Sequence, residues 1–234
     1  MSGGGRSPGR GPGGAPRAVL WDLDGTLVDS RAYHWWSWRA VMEREAVPIT
    51  EADFAASFGR RNDEFLPEWL GGEADPERIR RVAEAKEALY RERIRDRGIV
   101  ALPGAVALVR SLHTGGWRQA IASSAPRLNV EVVGRALDFA HLVETTVGAE
   151  DVRVGKPDPE VFLIAAERVG VTPRRCVVVE DASAGIEAAR RAGMRCIGVG
   201  GTETGTADIV VGSLEDLPAD AFERLIPRED ETTS

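Results

Sequence analysis

Five short runs rich in apolar and β-branched residues punctuate the chain: Ala18–Trp21, Trp117–Ala122, Leu142–Val147, Cys176–Val179 and Cys196–Val199. Each is too short for a buried helix and is bounded by turn residues, so each reads as a strand buried in a sheet. Helical patterns fall between them, over Ala105–His113, Arg127–Leu137, Pro159–Val169 and Ala182–Ala192. Gly170 and Gly193 stand where helix ends favour glycine. Strand alternating with helix specifies an α/β fold, a doubly wound parallel sheet covered on both faces. Ligands bind such sheets beyond the carboxyl ends of the strands.

One segment breaks the alternation. Between Ser30 and Arg97 there is no strand run. Arg31–Glu45 has helical spacing, and Pro76–Arg97 reads as a long charged helix with Asp75 as cap and Pro76 in the first turn. Pro103-Gly104 marks the return to the sheet. The expected organisation is a sheet domain over 17–29 and 98–226, an inserted α-helical domain over 30–97 standing above the end of the first strand, and tails over 1–16 and 227–234. The first tail is mostly Gly, Pro, Ser and Arg. It has too little apolar surface to offset the entropy of ordering, and it lacks the apolar middle of a secretion signal.

The chemistry concentrates in Asp22-Leu-Asp24-Gly25-Thr26-Leu-Val-Asp29-Ser30. Asp22 and Asp24 are two apart at a strand end, so their side chains can point the same way. Gly25 lets the backbone turn close to a ligand. Two close carboxylates split their pKa values unless a cation intervenes, so one can act as nucleophile while the other carries a proton for the leaving group. Three further positions follow at or just past strand ends: Ser123, Lys156 in Gly-Lys-Pro-Asp-Pro, and the pair Glu180-Asp181. A hydroxyl, a cation and extra acidic oxygens for a hard metal are the parts a phosphate site needs. Taken singly, each has a plainer reading: Ser123 and Glu180-Asp181 as helix caps, Lys156 as an exposed turn residue.

The lysines add weight. Of 30 basic residues only Lys86 and Lys156 are lysine. A compact ammonium differs from the flat guanidinium fork, so lysine survives where a fork will not fit. The net charge of −7 comes without a basic face, which argues against nucleic acid. No apolar run approaches the roughly 20 residues of a membrane helix. Cys176 and Cys196 read as buried thiols of a reducing compartment. A cytoplasmic protein acting on a small phosphorylated metabolite is expected, with no nucleic-acid or membrane partner and a monomer favoured.

With these motifs in this order around a helical insert, the chain from about Ala18 to Leu217 resembles the haloacid-dehalogenase superfamily, in the subgroup of beta-phosphoglucomutase and related sugar phosphatases. The resemblance implies a Rossmann-like core with a mobile helical cap. It implies that Asp22 becomes an aspartyl-phosphate and that Asp24 is general acid and then base. Ser123, Ser124 and Lys156 would bind the phosphoryl group. Mg²⁺ would be held by Asp22, the Asp24 carbonyl and Asp181, with Glu180 a ligand or just behind one. In the insert, His34, Trp38 and Lys86 match the subgroup's substrate-side residues. The basic turn Gly59-Arg60-Arg61-Asn62 is one residue shorter than the subgroup's, and Arg61 and Asn62 are the expected grip on the far end of the substrate. The implied activity is Mg²⁺-dependent hydrolysis of a sugar or polyol phosphate. A phosphosugar mutase is the alternative, and a non-catalytic binding protein on the same fold the reading from another class.

Overall fold

The computed structural model describes residues 14–72, 74–200 and 204–227. Apart from their innermost residues, the two expected tails lie outside the described residues.

Six strands form one parallel sheet in the order β3-β2-β1-β4-β5-β6. They are β1 (Ala18–Trp21), β2 (Arg118–Ala122), β3 (Thr145–Val147), β4 (Cys176–Glu180), β5 (Arg195–Val199) and β6 (Ile209–Val211). The chain moves outward from β1 through β2 to β3, then returns to place β4 on the other side of β1. That reversal opens a crevice at the carboxyl ends of β1, β2 and β4. Side chains of β1 alternate between the faces. Val19 and Trp21 join one buried cluster with Val109, Val133 and Phe222, whereas Ala18 and Leu20 join another with Phe162, Ala165 and Ile186. The first cluster is covered by α5 (Ala105–Thr114), α6 (Arg127–Ala136) and α9 (Ala221–Leu225), the second by α7 (Glu160–Arg168) and α8 (Ser183–Arg191).

The expected doubly wound sheet is therefore present, with β6 added. Ile209-Val-Val211 is only three residues long and half-exposed at the sheet edge, so it lacks the sustained apolar run by which the inner strands were read. Both cysteines are buried and free, and burial pushes the Cys176 thiol up to about 12.

Residues after β1 form four helices: α1 (Arg31–Arg44), α2 (Glu51–Ser57), α3 (Asn62–Trp69) and α4 (Pro76–Arg97). They share a hydrophobic cluster of their own, built on Trp38, Met42, Phe54, Phe65, Leu66 and Val82. Thr50 caps α2 through a reciprocal pair with Asp53, and Asp75 caps α4 by accepting from the Glu77 N–H at 3.2 Å. The buried stripe of α4 reads Val82, Lys86, Glu87, Tyr90, Ile94. Two charged residues at the centre of an otherwise apolar stripe are costly unless paired, so they mark where this helix does something besides pack. Among the described residues, no helix is long and apolar enough to cross a membrane.

Candidate active site

The ends of β1 and β4 bring the first carboxylates together. The Asp22 N–H donates to the Val179 carbonyl at 3.0 Å, which fixes the residue after β1 against β4. Lys156 Nζ then sits 2.6 Å from Asp22 Oδ1 and 2.6 Å from Glu180 Oε1, and donates to the Ala122 carbonyl at 3.2 Å. All three of its donors are used. Only 6% of its side chain is exposed, and the two carboxylates hold its pKa above the ordinary lysine value. Glu180 Oε2 accepts from the backbone N–H groups of Asp181 and Ala182, both at 3.0 Å. Glu180 is thus a partner of Lys156 that also holds the turn before α8, whose first residues receive no side-chain cap. Thr26 Oγ1 donates to Asp181 Oδ1 at 3.3 Å.

Asp22, Glu180 and Asp181 each present an oxygen within 4.8 Å of the others. Burial pushes the Asp22 carboxyl well above its usual value; Lys156 opposes the rise, and Glu180 and Asp181 add to it. Burial and Glu180 push Asp181 up to about 7. Crowded, partly desolvated carboxylates of this kind fit a hard divalent cation, which takes oxygen ligands and relieves their repulsion. Gly25 faces this cluster at φ +91°, and a Cβ there would lie 2.1 Å from Asp181 Oδ2. Glycine is required at that position on both counts.

Asp24 belongs to a second chain of contacts, running up into the helices. Lys86 Nζ lies 2.7 Å from His34 Nδ1, and His34 Nε2 lies 3.2 Å from Asp24 Oδ1. An ammonium can only donate, so Nδ1 is the acceptor and the imidazole proton sits on Nε2, aimed at Asp24. The Tyr90 hydroxyl also donates to Asp24, at 3.4 Å, and its ring stacks on His34 with centroids 4.1 Å apart. Burial alone would raise the Asp24 carboxyl; His34, and more distantly Lys86, hold it below the usual carboxylate range. Lys86 is itself anchored by Glu87 at 2.8 Å.

This second chain opens onto a cavity of about 50 Å³ lined by Asp24, His34, Trp38, Asn62, Lys86 and Ser124, together with Phe54 and Phe58. Ten of the twelve residues singled out from sequence stand at the carboxylate cluster or this cavity. Ser123 is the eleventh: it lies buried at the end of β2, its Oγ accepting from the Ala125 N–H at 3.1 Å. Arg61 is the twelfth and is not brought to the cavity. Its guanidinium donates to the carbonyls of Ala149 and Val152, at 3.0 and 2.8 Å, and pairs with Asp63. The short turn carries Arg61 past the cavity onto the sheet domain and leaves Arg60 on the cavity lining. Arg60 bonds Glu68 and the Glu64 carbonyl.

Four participants were not singled out in the sequence: Thr26, Tyr90, Glu87 and Asn129. Thr26 lay inside the acidic motif without an assigned partner. Tyr90 is four residues after Lys86 and so on its face of α4, a spacing that could have found it. Glu87 and Asn129 gave no local signal, because what joins them is tertiary.

Comparison with known proteins agrees with this geometry. The family model described as haloacid dehalogenase-like hydrolase matches residues 16–193. Hexitol phosphatase A of Escherichia coli is 33% identical over 210 residues, covering 86% of this chain and 93% of the relative. Beta-phosphoglucomutase of Bacillus subtilis is 33% identical over 214 residues, covering 86% and 91%. The crystal structure of beta-phosphoglucomutase from Clostridium difficile superposes with a TM-score of 0.81 at 27% identity, covering 90% of this chain and 96% of that one.

Proposed function

Since the chain belongs to the haloacid dehalogenase-like hydrolases, we propose that it hydrolyses a small sugar or polyol phosphate, using Mg²⁺ and a covalent phosphate on Asp22. The observation that carries this reading is the buried Lys156 ammonium, shared between Asp22 and Glu180 while Asp24 waits beside them on a separate hydrogen-bond chain.

Mg²⁺, held by Asp22, Asp181 and the Asp24 carbonyl, would supply charge neutralisation for the phosphate and for the attacking carboxylate. Everything else falls to the chain's own groups. An Asp22 oxygen attacks phosphorus and the ester oxygen leaves, taking a proton from Asp24, which must first be loaded with that proton against the pull of His34 and Lys86. Lys156 and the Ser123 hydroxyl offset the remaining charge on the phosphoryl oxygens. Asp24, now a carboxylate stabilised by the His34 N–H, accepts a proton from water as that water attacks phosphorus. The P–O bond to Asp22 breaks, inorganic phosphate forms, Asp22 is a carboxylate again and Asp24 again holds the proton it gave to the leaving group.

The mutase reading is kept alive by His34, Trp38 and Lys86 and by the Bacillus subtilis relative. Two features favour water over a second sugar as acceptor: Ser124-Ala125-Pro126 lacks a cation beside the phosphate, and Arg61 is engaged elsewhere. The test is a phosphate-release panel of sugar, polyol and nucleotide monophosphates with Mg²⁺, run beside beta-glucose 1-phosphate with a bisphosphate primer. Inorganic phosphate should appear at least as fast as glucose 6-phosphate. Accumulation of glucose 6-phosphate with little free phosphate would make the enzyme a mutase, and no turnover of any ester would make the chain a binding protein.

A further inference from the structure

The proposed mechanism leaves one buried carboxylate without a task. Glu87 lines the cavity, yet both of its oxygens are tied down. Oε1 accepts from Lys86 Nζ at 2.8 Å and from Asn62 Nδ2 at 2.7 Å, and Oε2 accepts from Asn129 Nδ2 at 2.6 Å. Asn129 is held in turn by Arg91, whose guanidinium donates to its Oδ1 at 2.9 Å. A carboxylate pinned at both ends cannot swing its charge out of the cavity. Burial would raise it, but Lys86 and His34 keep it below the usual range, so it stays ionised.

We propose that Glu87 determines specificity by excluding a second anionic group, so that the enzyme accepts phosphomonoesters whose leaving group is uncharged. The inference rests on the phosphatase reading and deepens it. At the substrate end of the cavity each cation already has an anion: Lys86 is paired with Glu87, and Arg60 with Glu68. Arg61 faces the sheet domain. The rest of that wall is Phe54, Phe58, Phe65 and Trp38, with Ser57 and Asn62. A second phosphate entering here would give up water, find no free cation and meet a fixed negative charge that little water screens. A neutral polyol or sugar chain fares differently. Its hydroxyls can donate to Glu87 and to the Ser57 Oγ and accept from Asn62, and its C–H faces suit the aromatic wall.

The experiment compares kcat/KM of the full chain with Mg²⁺ for p-nitrophenyl phosphate, glucose 6-phosphate and glucose 1,6-bisphosphate, and repeats it in two variants. The wild type should prefer the monophosphate by about tenfold or more, and Glu87→Gln should narrow that preference by about tenfold. Phe58→Arg adds a cation to the same wall without touching a hydrogen bond of Glu87. It should also narrow the preference, which keeps the test sound if Glu87→Gln misfolds. Calorimetric binding to Asp22→Asn should rank the two glucose esters in the same order. Equal use of mono- and bisphosphate by the wild type would overturn the proposal. So would a preference unmoved in both variants, or a loss of bisphosphate turnover alone in Arg61→Ala. Absence of turnover with all three esters would instead sink the phosphatase reading, while the binding rank still judges Glu87.

Discussion

Asp22 and Asp24 stand two residues apart, yet their neighbours push them in opposite directions. Asp22 is raised by burial and by two acidic neighbours, whereas Asp24 is lowered by an imidazole. Different roles should give different losses. Asp22→Asn should abolish phosphate release with the fold intact by circular dichroism, and Asp24→Asn should slow it by about 10²–10⁴-fold. Near-normal turnover in Asp22→Asn would end the covalent mechanism. Asp181, pushed up to about 7, ties metal to pH, because a protonated carboxyl is a poor ligand. Mg²⁺ binding measured by calorimetry should weaken by about tenfold between pH 8 and pH 6; affinity independent of pH would contradict the assigned ligand. In the metal-free protein the sign is that of a raised acid. The stability it contributes is present below its ordinary value of 3.8 and is lost as pH rises through 7. At this scale the sequence was legible where composition was lopsided. Both lysines lie at the site, each buried and paired with a carboxylate. Glu87 was not legible, since a Lys-Glu pair in a charged helix looks like solvent-facing surface until the fold buries it.

Among elements, α4 is the one whose burial contradicts its composition. Its start was plain from Asp75 and Pro76, and the helix spans the expected residues. Its buried face was not plain, because the stripe is interrupted by Lys86 and Glu87, whose side chains are 2% and 6% exposed. Breaking such a pair costs more than removing it. Lys86→Met should therefore destabilise the protein by about 3 kcal/mol in chemical denaturation. Lys86→Met with Glu87→Leu should recover part of that loss, the rest being kept by the Asn62 and Asn129 amides that lose their acceptor, while kcat stays low because His34 has still lost its donor. If the double variant is no more stable than the single one, the pair is not what burial makes of it. In the sheet, the inner strands were legible from their apolar runs, whereas β6 was missed because an edge strand of three half-exposed residues carries little pattern.

For the molecule as a whole, the cavity is too small for its expected guest. About 50 Å³ holds a few waters but not a hexose. The proposed hydrolysis of a sugar phosphate therefore requires the helices to draw back from the sheet on entry, and contacts across the seam to hold them when they close. Arg61 supplies two of them, to the carbonyls of Ala149 and Val152, in the loop leading to Lys156. Each hydrogen bond to a charged group is worth roughly 1.5–3 kcal/mol. Arg61→Ala should lower kcat/KM at least tenfold for p-nitrophenyl phosphate and sugar phosphates alike, by the same factor for each. A loss confined to larger substrates would return Arg61 to the gripping role its sequence position suggested. Tertiary reach of this kind is what the sequence could not supply: the turn is one residue short, and that shift sends the side chain to a different partner.

The scarcity of lysine has a practical corollary. A lysine-specific protease that spares Lys-Pro bonds passes over Lys156, which is followed by proline, and is left with one candidate site in this chain. The remaining bond, Lys86–Glu87, lies inside α4 with both side chains buried. Cleavage into two fragments, split after residue 86, is therefore a clock for the opening of that helix, with no label required. Amine-reactive reagents read the same way: Lys86 and Lys156 are the only amine side chains and both lie at the site, so labelling of these two residues in the folded protein reports access to it.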